Sequence, residues 1–317
     1  MSLNINYRAL SLFYLLLKVP IHYFESRFLM NGLVNLPSYS PIFIIGAPRT
    51  GSTILYQVLT NTYDVKYIDN LASKWYRNLL FGMWLSHRKF VSTPHNNFYS
   101  LHGNTNYYGG HAPSECGEFW YRWLAKDHHF IDHHEVSSFM IRDIENEVNS
   151  VSKYFQKPII FKNLNAGQRL RLIAKVFPNA YIIFIRRDPR FIVRSILNAR
   201  IKLGVREGEW WGIMPKNYKS LLSLPVKEMV AAQVYYLEKQ IIEDLNLFPS
   251  NNVKELHYQD FSVEIIDKVA EWMHLSKRPN YDFPVFNKDD VSLLNKNEFE
   301  DLDNVISKFP FDKKLFV

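Results

Sequence analysis

The 317-residue sequence predicts an α/β fold: a central parallel sheet flanked by helices on both sides. Three observations carry this reading. Short apolar runs recur at Ile42–Ile45, Pro158–Phe161 and Ala180–Ile185. Apolar residues at helical spacing follow each run. A glycine-bracketed turn, Gly46-Ala-Pro-Arg-Thr-Gly51, separates the first run from its helix. Strands without a polar side belong to sheets buried on both faces, and alternation with helices makes such sheets parallel.

The elements follow in chain order. Ala9–Leu17 is apolar, with Arg8 and Lys18 at its flanks. It is too short to span a bilayer, which takes about 20 residues. No small-residue cleavage site follows at signal-peptide spacing. A helical arm docked on the protein body is favoured over an interfacial helix, because the run is apolar nearly all round. Peripheral membrane contact through residues 8–30 is the alternative. Pro37-Ser-Tyr-Ser-Pro41 ends this arm, taken as residues 1–38. Ile42–Ile45 is the first strand, and a helix runs from Gly51 to about Asn61. Residues 62–156 are rich in Trp, Tyr, His and Asn and poor in clean periodicity. Such an insert is expected to build walls and lids over a binding site. Pro158–Phe161 is the next strand. Gln168–Phe177 is a helix with Leu170, Ile173, Ala174 and Phe177 on one face. Ala180–Ile185 is a strand, and Pro189 opens a helix at its favoured first position, reaching about Ile201. Pro225–Phe248 is a long helix, Val253–His257 a strand and Val263–Leu275 a helix. One domain results, with its core in residues 41–61 and 157–275.

Composition narrows the classes. With 47% hydrophobic and 22% charged residues, the chain is an ordinary globular protein. A net charge of +7 and a pI near 9.2 favour an anionic partner. No Lys/Arg run supports nucleic acid. A lone cysteine, Cys116, cannot form an internal disulfide and fits a reducing cytosol, so a cytoplasmic location is expected.

The turn at Gly46–Gly51 binds phosphate chemistry: backbone N–H groups and a helix N-terminus converge there on one anion. The spacing Gly46-x4-Gly51-Ser52-Thr53 nearly matches the nucleotide-triphosphate loop G-x-x-x-x-G-K-[ST]. Ser52 stands where that loop has its lysine, so phosphoryl transfer from ATP is disfavoured. Arg49 is the cation instead. A second basic site, Arg186-Arg187-Asp188-Pro189 with Ser195 two turns along the helix, follows a neighbouring strand. Two such sites at strand ends point to a ligand with two separated anionic groups.

At this point the sequence resembles the sulfotransferases that use 3′-phosphoadenosine 5′-phosphosulfate (PAPS). Pro48-Arg-Thr-Gly-Ser-Thr53 is similar to their 5′-phosphosulfate loop. Arg187-Asp-Pro with Ser195 is similar to their 3′-phosphate element. Tyr258-Gln-Asp-Phe261 resembles the segment whose tyrosine lies against adenine. Lys162 resembles the lysine that opens their strand-end motif. The ordered set covers residues 41 to about 275 and is closest to the bacterial and carbohydrate-type branches. The resemblance implies a P-loop-like core that binds PAPS and releases PAP. The donor site would comprise Arg49, Thr50, Gly51, Ser52, Thr53, Arg187, Ser195 and Tyr258.

Two departures stand out. The family histidine would fall near Asn165, which takes no proton at neutral pH, and the C-terminal R-K-G segment of the animal cytosolic enzymes is absent. Gly110–Glu118 resembles the P-Q-E-x-E stretch of some bacterial sulfotransferases, which places Glu115 and Glu118 at its acids; as general base Glu115 is taken first, His111 second and Glu118 third. Ser114 could equally cap a helix start there. Lys162 is assigned to the oxygen that gains charge as the S–O bond breaks. The histidines of Asp127–Glu135 invite a metal, with His129 and His133 on one helix face, but the pattern is not H-E-x-x-H. Surface or structural roles, and no metal, are expected. Glu209-Trp-Trp-Gly212 is read equally as acceptor platform or core. The acceptor is expected to be a hydroxyl-bearing small molecule or glycan, a carbohydrate or lipid-linked sugar being favoured. A P-loop kinase and a non-catalytic nucleotide-binding module are the rivals.

Overall fold

The structure, a computed structural model, describes residues 20–101 and 103–317. The apolar run at residues 9–17 lies outside the described residues. Among them, no helix is long and apolar enough to cross a membrane.

Five parallel strands form one sheet in the order β2-β3-β1-β4-β5. They are β1 (Ile42–Gly46), β2 (Lys66–Tyr67), β3 (Ile159–Lys162), β4 (Tyr181–Arg186) and β5 (Val253–His257). The main helices are α1 (Ser52–Thr62), α2 (Leu79–Phe90), α3 (Ser138–Phe155), α4 (Leu170–Val176), α5 (Pro189–Lys202), α6 (Val226–Leu245), α7 (Val263–Trp272) and α8 (Lys296–Ile306). β1 lies at the centre, paired with β3 from Ile42↔Ile160 and with β4 from Ile42↔Tyr181.

Successive strand residues point to opposite faces, so each central strand feeds two cores. Phe43, Ile45, Phe161, Ile182 and Phe184 enter one core with residues of α2, α3 and α4. Ile42, Ile44, Ile160, Ile183 and Ile185 enter the other, under Leu55, Val58 and Leu59 of α1 and Ile266 and Val269 of α7. This is why the strand sequences lack polar alternation. Burying each such side chain contributes roughly 1.5–3 kcal/mol. A third cluster joins α5, α6 and α8 through Ile192, Ile196, Val230, Val234, Leu302 and Ile306.

Predicted and observed elements differ in places. Residues 62–156 contain β2, α2 and α3 rather than irregular chain alone. The helix expected from Gln168 starts at Leu170, after a 3-10 turn over Leu164–Gln168. Asn163 opens that turn by accepting a hydrogen bond from the Asn165 N–H at 3.1 Å. The stretch around His129 and His133 is not an α-helix: Asp132 and Glu135 close a capping box around the 3-10 turn His133–Glu135.

The strand order decides where a ligand can lie. From β1 the chain crosses toward β2, and from β4 it crosses toward β5 on the other side. The order reverses between β1 and β4, which opens a crevice at their carboxyl ends. Arg49 follows β1 and Arg187 follows β4, so both enter that crevice.

Candidate active site

A cleft of about 620 Å³ opens at this end of the sheet, a size suited to one nucleotide-sized ligand and part of a second. Its floor is the turn before α1. Gly51 precedes α1 with φ +87°, and no side chain caps the helix. The first N–H groups of α1 therefore face the cleft without side-chain partners, as an anion site requires. A Cβ on Gly51 would lie 2.3 Å from the Tyr258 ring, so only glycine lets the ring seal the turn. Thr50 turns its hydroxyl back onto the Ala47 carbonyl at 2.9 Å. Its hydroxyl serves the loop, while Ser52 and Thr53 line the cleft.

Arg49 holds φ +69°, a left-handed conformation uncommon for a residue with a Cβ. Arg187 holds it there, its Nη1 donating to the Arg49 carbonyl at 2.7 Å. Arg187 Nε donates to Asp289 at 2.7 Å, and its guanidinium lies 4.4 Å over the Tyr258 ring. Arg49 Nε donates to Ser195 Oγ at 2.8 Å. Burial, and next the Arg187 cation, lower the Arg49 pKa, and burial raises that of Tyr258. Two cations held this close leave a positive potential that an anion would neutralise. A side cavity of about 290 Å³ adjoins them, lined by Arg49, Arg187, Arg194, Ser195, Asn198 and Lys202.

The opposite wall carries Lys162 and Glu115. Lys162 ends β3 and its side chain is only 2% exposed. Its Nζ donates to the carboxylate of Glu115, which is 39% exposed. A buried ammonium needs such a partner. Cys116 adopts φ +41°, a kink between Glu115 and the short helix Gly117–Trp120. Burial pushes the Cys116 thiol up to about 12, which leaves it unreactive. The turn at Gly103 closes over these groups. A Cβ there would sit 3.3 Å from Thr53 Oγ1 and 3.8 Å from both Glu115 Oε1 and Lys162 Nζ. Thr53, Lys162 and Glu115 thus surround one point beside the helix start.

A model of the sulfotransferase family matches residues 41–270. The chain belongs to the sulfotransferase family. Sulfotransferase STF1 from Mycobacterium tuberculosis H37Rv superposes on it with a TM-score of 0.50 and 12% identity, over 91% of this chain and 81% of that one. STF9 from Mycobacterium avium gives 0.45 and 13%, over 92% and 73%. The sulfotransferase domain of the Synechococcus PCC 7002 olefin synthase gives 0.42 and 12%, over 88% and 92%. The STF1 likeness concerns the fold alone. No curated protein matches this sulfotransferase.

The cleft of this sulfotransferase brings together Arg49, Gly51, Ser52, Thr53, Glu115, Glu118, Lys162, Arg187 and Tyr258. Ser195 lies beside it through Arg49. His111 does not join them. Its Nδ1 lies 3.0 Å from Asp69 Oδ2, its Nε2 2.8 Å from the Thr93 carbonyl, and its ring stacks on Phe90 at 4.2 Å. Both ring nitrogens are engaged, and the residue pins its own loop to the end of α2. Ser114 does not cap the short helix; its hydroxyl accepts from the Cys116 N–H at 3.2 Å. Asn165, where a family histidine would fall, lines the cleft and donates to Tyr121 Oη at 3.2 Å. The paired tryptophans divide: Trp211 lines the cleft, while Trp210 packs edge-on to Tyr218. His129 is buried, and its Nδ1 accepts from the Met214 N–H at 2.8 Å. Among the described residues no group of three or more His, Cys, Asp or Glu is placed to hold a metal ion.

Sequence reasoning missed Arg194, Asn198 and Lys202. Their four-residue spacing along α5 puts them on the face of Ser195 and was readable once that serine was singled out. Asp289 was not readable: it lies 102 residues from the arginine it holds.

Proposed function

We propose that this sulfotransferase moves a sulfuryl group from PAPS to a hydroxyl of a carbohydrate, free or lipid-linked, by in-line displacement. The single observation behind this is the convergence of Lys162, Glu115 and Thr53 beside the uncapped start of α1. The residues fit the donor chemically. The N–H groups of Ser52 and Thr53, their hydroxyls and Arg49 offer donors to a 5′-phosphosulfate. Arg187, Arg194 and Lys202 offer the positive charge that a 3′-phosphate would take, and Ser195 and Asn198 offer neutral hydrogen-bond donors, in place of the absent R-K-G segment. Tyr258, stacked under Arg187, gives adenine a flat apolar face.

When bound, PAPS supplies an activated sulfuryl group on a bridging oxygen. The protein's share is positioning and charge stabilisation. An ammonium has three donors, so Lys162 can keep Glu115 and still meet a second anionic oxygen. Glu115, partly exposed, is the group placed to take the proton of an incoming hydroxyl. Trp211 and Tyr121 offer ring faces, and Asn104, Asn106 and Asn165 offer amides, on the acceptor side.

The test is transfer of radiolabel from PAPS to a panel of hydroxyl acceptors, with 3′,5′-ADP binding followed by thermal shift. Stabilisation by 3′,5′-ADP, and loss of its affinity by more than tenfold in Arg49→Ala and Arg187→Ala, are expected. Unchanged affinity in both variants would end the donor assignment. Stabilisation by ATP–Mg alone would favour the kinase reading.

A further inference from the structure

The far end of an acceptor must leave the cleft, and one loop borders the way out. Ser100, Gly103, Asn104, Thr105 and Asn106 line the cleft. Tyr99, Leu101 and Tyr107 of the same loop are 73%, 54% and 87% exposed. The loop backbone is pinned. Gln57 Nε2 donates to the Tyr99 carbonyl at 2.9 Å, and Asn70 Nδ2 to the Thr105 carbonyl at 2.8 Å. Leu101 and Asn104 exchange backbone bonds at 2.9 Å, and the Tyr99 ring stacks with Tyr108. Tyr99, Leu101 and Tyr107 are thus exposed on described parts of a loop whose neighbouring residues line the cleft. Single exposed apolar residues are ordinary, but a group of them at a site marks a binding surface. From His95 to Tyr108 the sequence contains no Lys, Arg, Asp or Glu. A span with no Lys, Arg, Asp or Glu offers no permanent charge to an anionic bilayer or a charged protein face. It suits a neutral hydrocarbon chain.

We propose that the acceptor is an amphiphile: its hydroxyl-bearing head enters the amide-lined cleft, and an alkyl or prenyl chain lies across Tyr99, Leu101 and Tyr107. This rests on the reading of the cleft as the sulfuryl-transfer site. The test uses the full chain saturated with 3′,5′-ADP and titrated with butyl, hexyl and octyl β-glucosides below their micelle concentrations, followed by tryptophan fluorescence. Each methylene removed from water is worth about fourfold in affinity. Partial contact therefore predicts at least about a tenfold gain from butyl to octyl. The triple variant Tyr99→Ser, Leu101→Ser, Tyr107→Ser should bring the octyl-to-butyl ratio close to one. Its thermal shift with 3′,5′-ADP shows whether it is folded, and Leu101→Ser alone, reducing the ratio by a smaller factor, backs it up. A flat series in the wild type would overturn the proposal, as would a gain that survives the triple substitution. Binding to neutral phosphatidylcholine vesicles with a flat glucoside series would assign the loop to a membrane and overturn it as well. Failure of the parent reading looks different: no stabilisation by 3′,5′-ADP and no label transferred to any acceptor.

Discussion

Replacing Glu115 by Gln tests the proposed general base most directly. The substitution keeps the shape of the side chain and removes its charge and proton affinity. General-base catalysis contributes about 10²–10⁴ in rate, so kcat should fall by at least about 100-fold. The structure adds a second consequence. Lys162, only 2% exposed, loses its counter-charge. Stripping the partner from a fully buried ion pair costs about 3–5 kcal/mol. Glu115 is 39% exposed and the amide oxygen of Gln can still accept a hydrogen bond. The expected loss is therefore about 1.5–3 kcal/mol, by analogy with one hydrogen bond to a charged group. Lys162→Met separates the two effects. It replaces the buried cation with an apolar chain of similar length, so stability should hold or rise, while kcat falls because charge stabilisation is gone. The assays are steady-state label transfer, 3′,5′-ADP thermal shift and urea denaturation. Near-normal turnover in Glu115→Gln, with donor binding intact, would refute the assignment of the base.

Three further outcomes follow from the same geometry. His111→Ala should keep turnover within about threefold yet lower stability by roughly 2–3 kcal/mol in urea, since Asp69 and Phe90 lose their partner; a large kcat loss at unchanged stability would return His111 to the reacting centre. Gly51→Ala should strain the φ +87° turn and push the Tyr258 ring aside, weakening 3′,5′-ADP by more than tenfold in calorimetry; unaltered affinity would contradict the seal. Burial lowers the His129 pKa from 6.5 to about 4. The unfolded chain therefore binds more protons between these values, and stability falls as pH drops through that window, by about 2 kcal/mol at pH 5. Burial also lowers His95, which acts in the same direction. His129→Gln should show a shallower acid loss in urea titrations at pH 7.5 and 5.0; an identical slope would show that His129 does not contribute.

The core of the fold was legible because burial on both faces leaves its mark in local sequence. Ile42–Ile45, Ala180–Ile185 and Val253–His257 stand within a residue of the observed strands. The starts of α5 and α6 were announced by Pro189 and Pro225. The insert was harder. β2 has two residues, too few for a period to show. α3 does bury Ile144, Val148 and Val151 at helical spacing, but its polar outer face hid the pattern among many Asn, Ser and Glu.

The sequence by itself determined the parallel sheet, the glycine-bracketed turn before α1 and the residues at the carboxyl ends of β1, β3 and β4. Each depends on neighbours within one strand–turn–helix unit, where steric and hydrogen-bonding preferences act over a few residues. Only the tertiary structure decided that Glu115 meets Lys162 while His111 goes to Asp69, and that Asp289 secures Arg187 beneath the Arg49 carbonyl. Those pairings span 42 to 102 residues. They are set by how helices and loops pack on a finished sheet, and no local spacing records that.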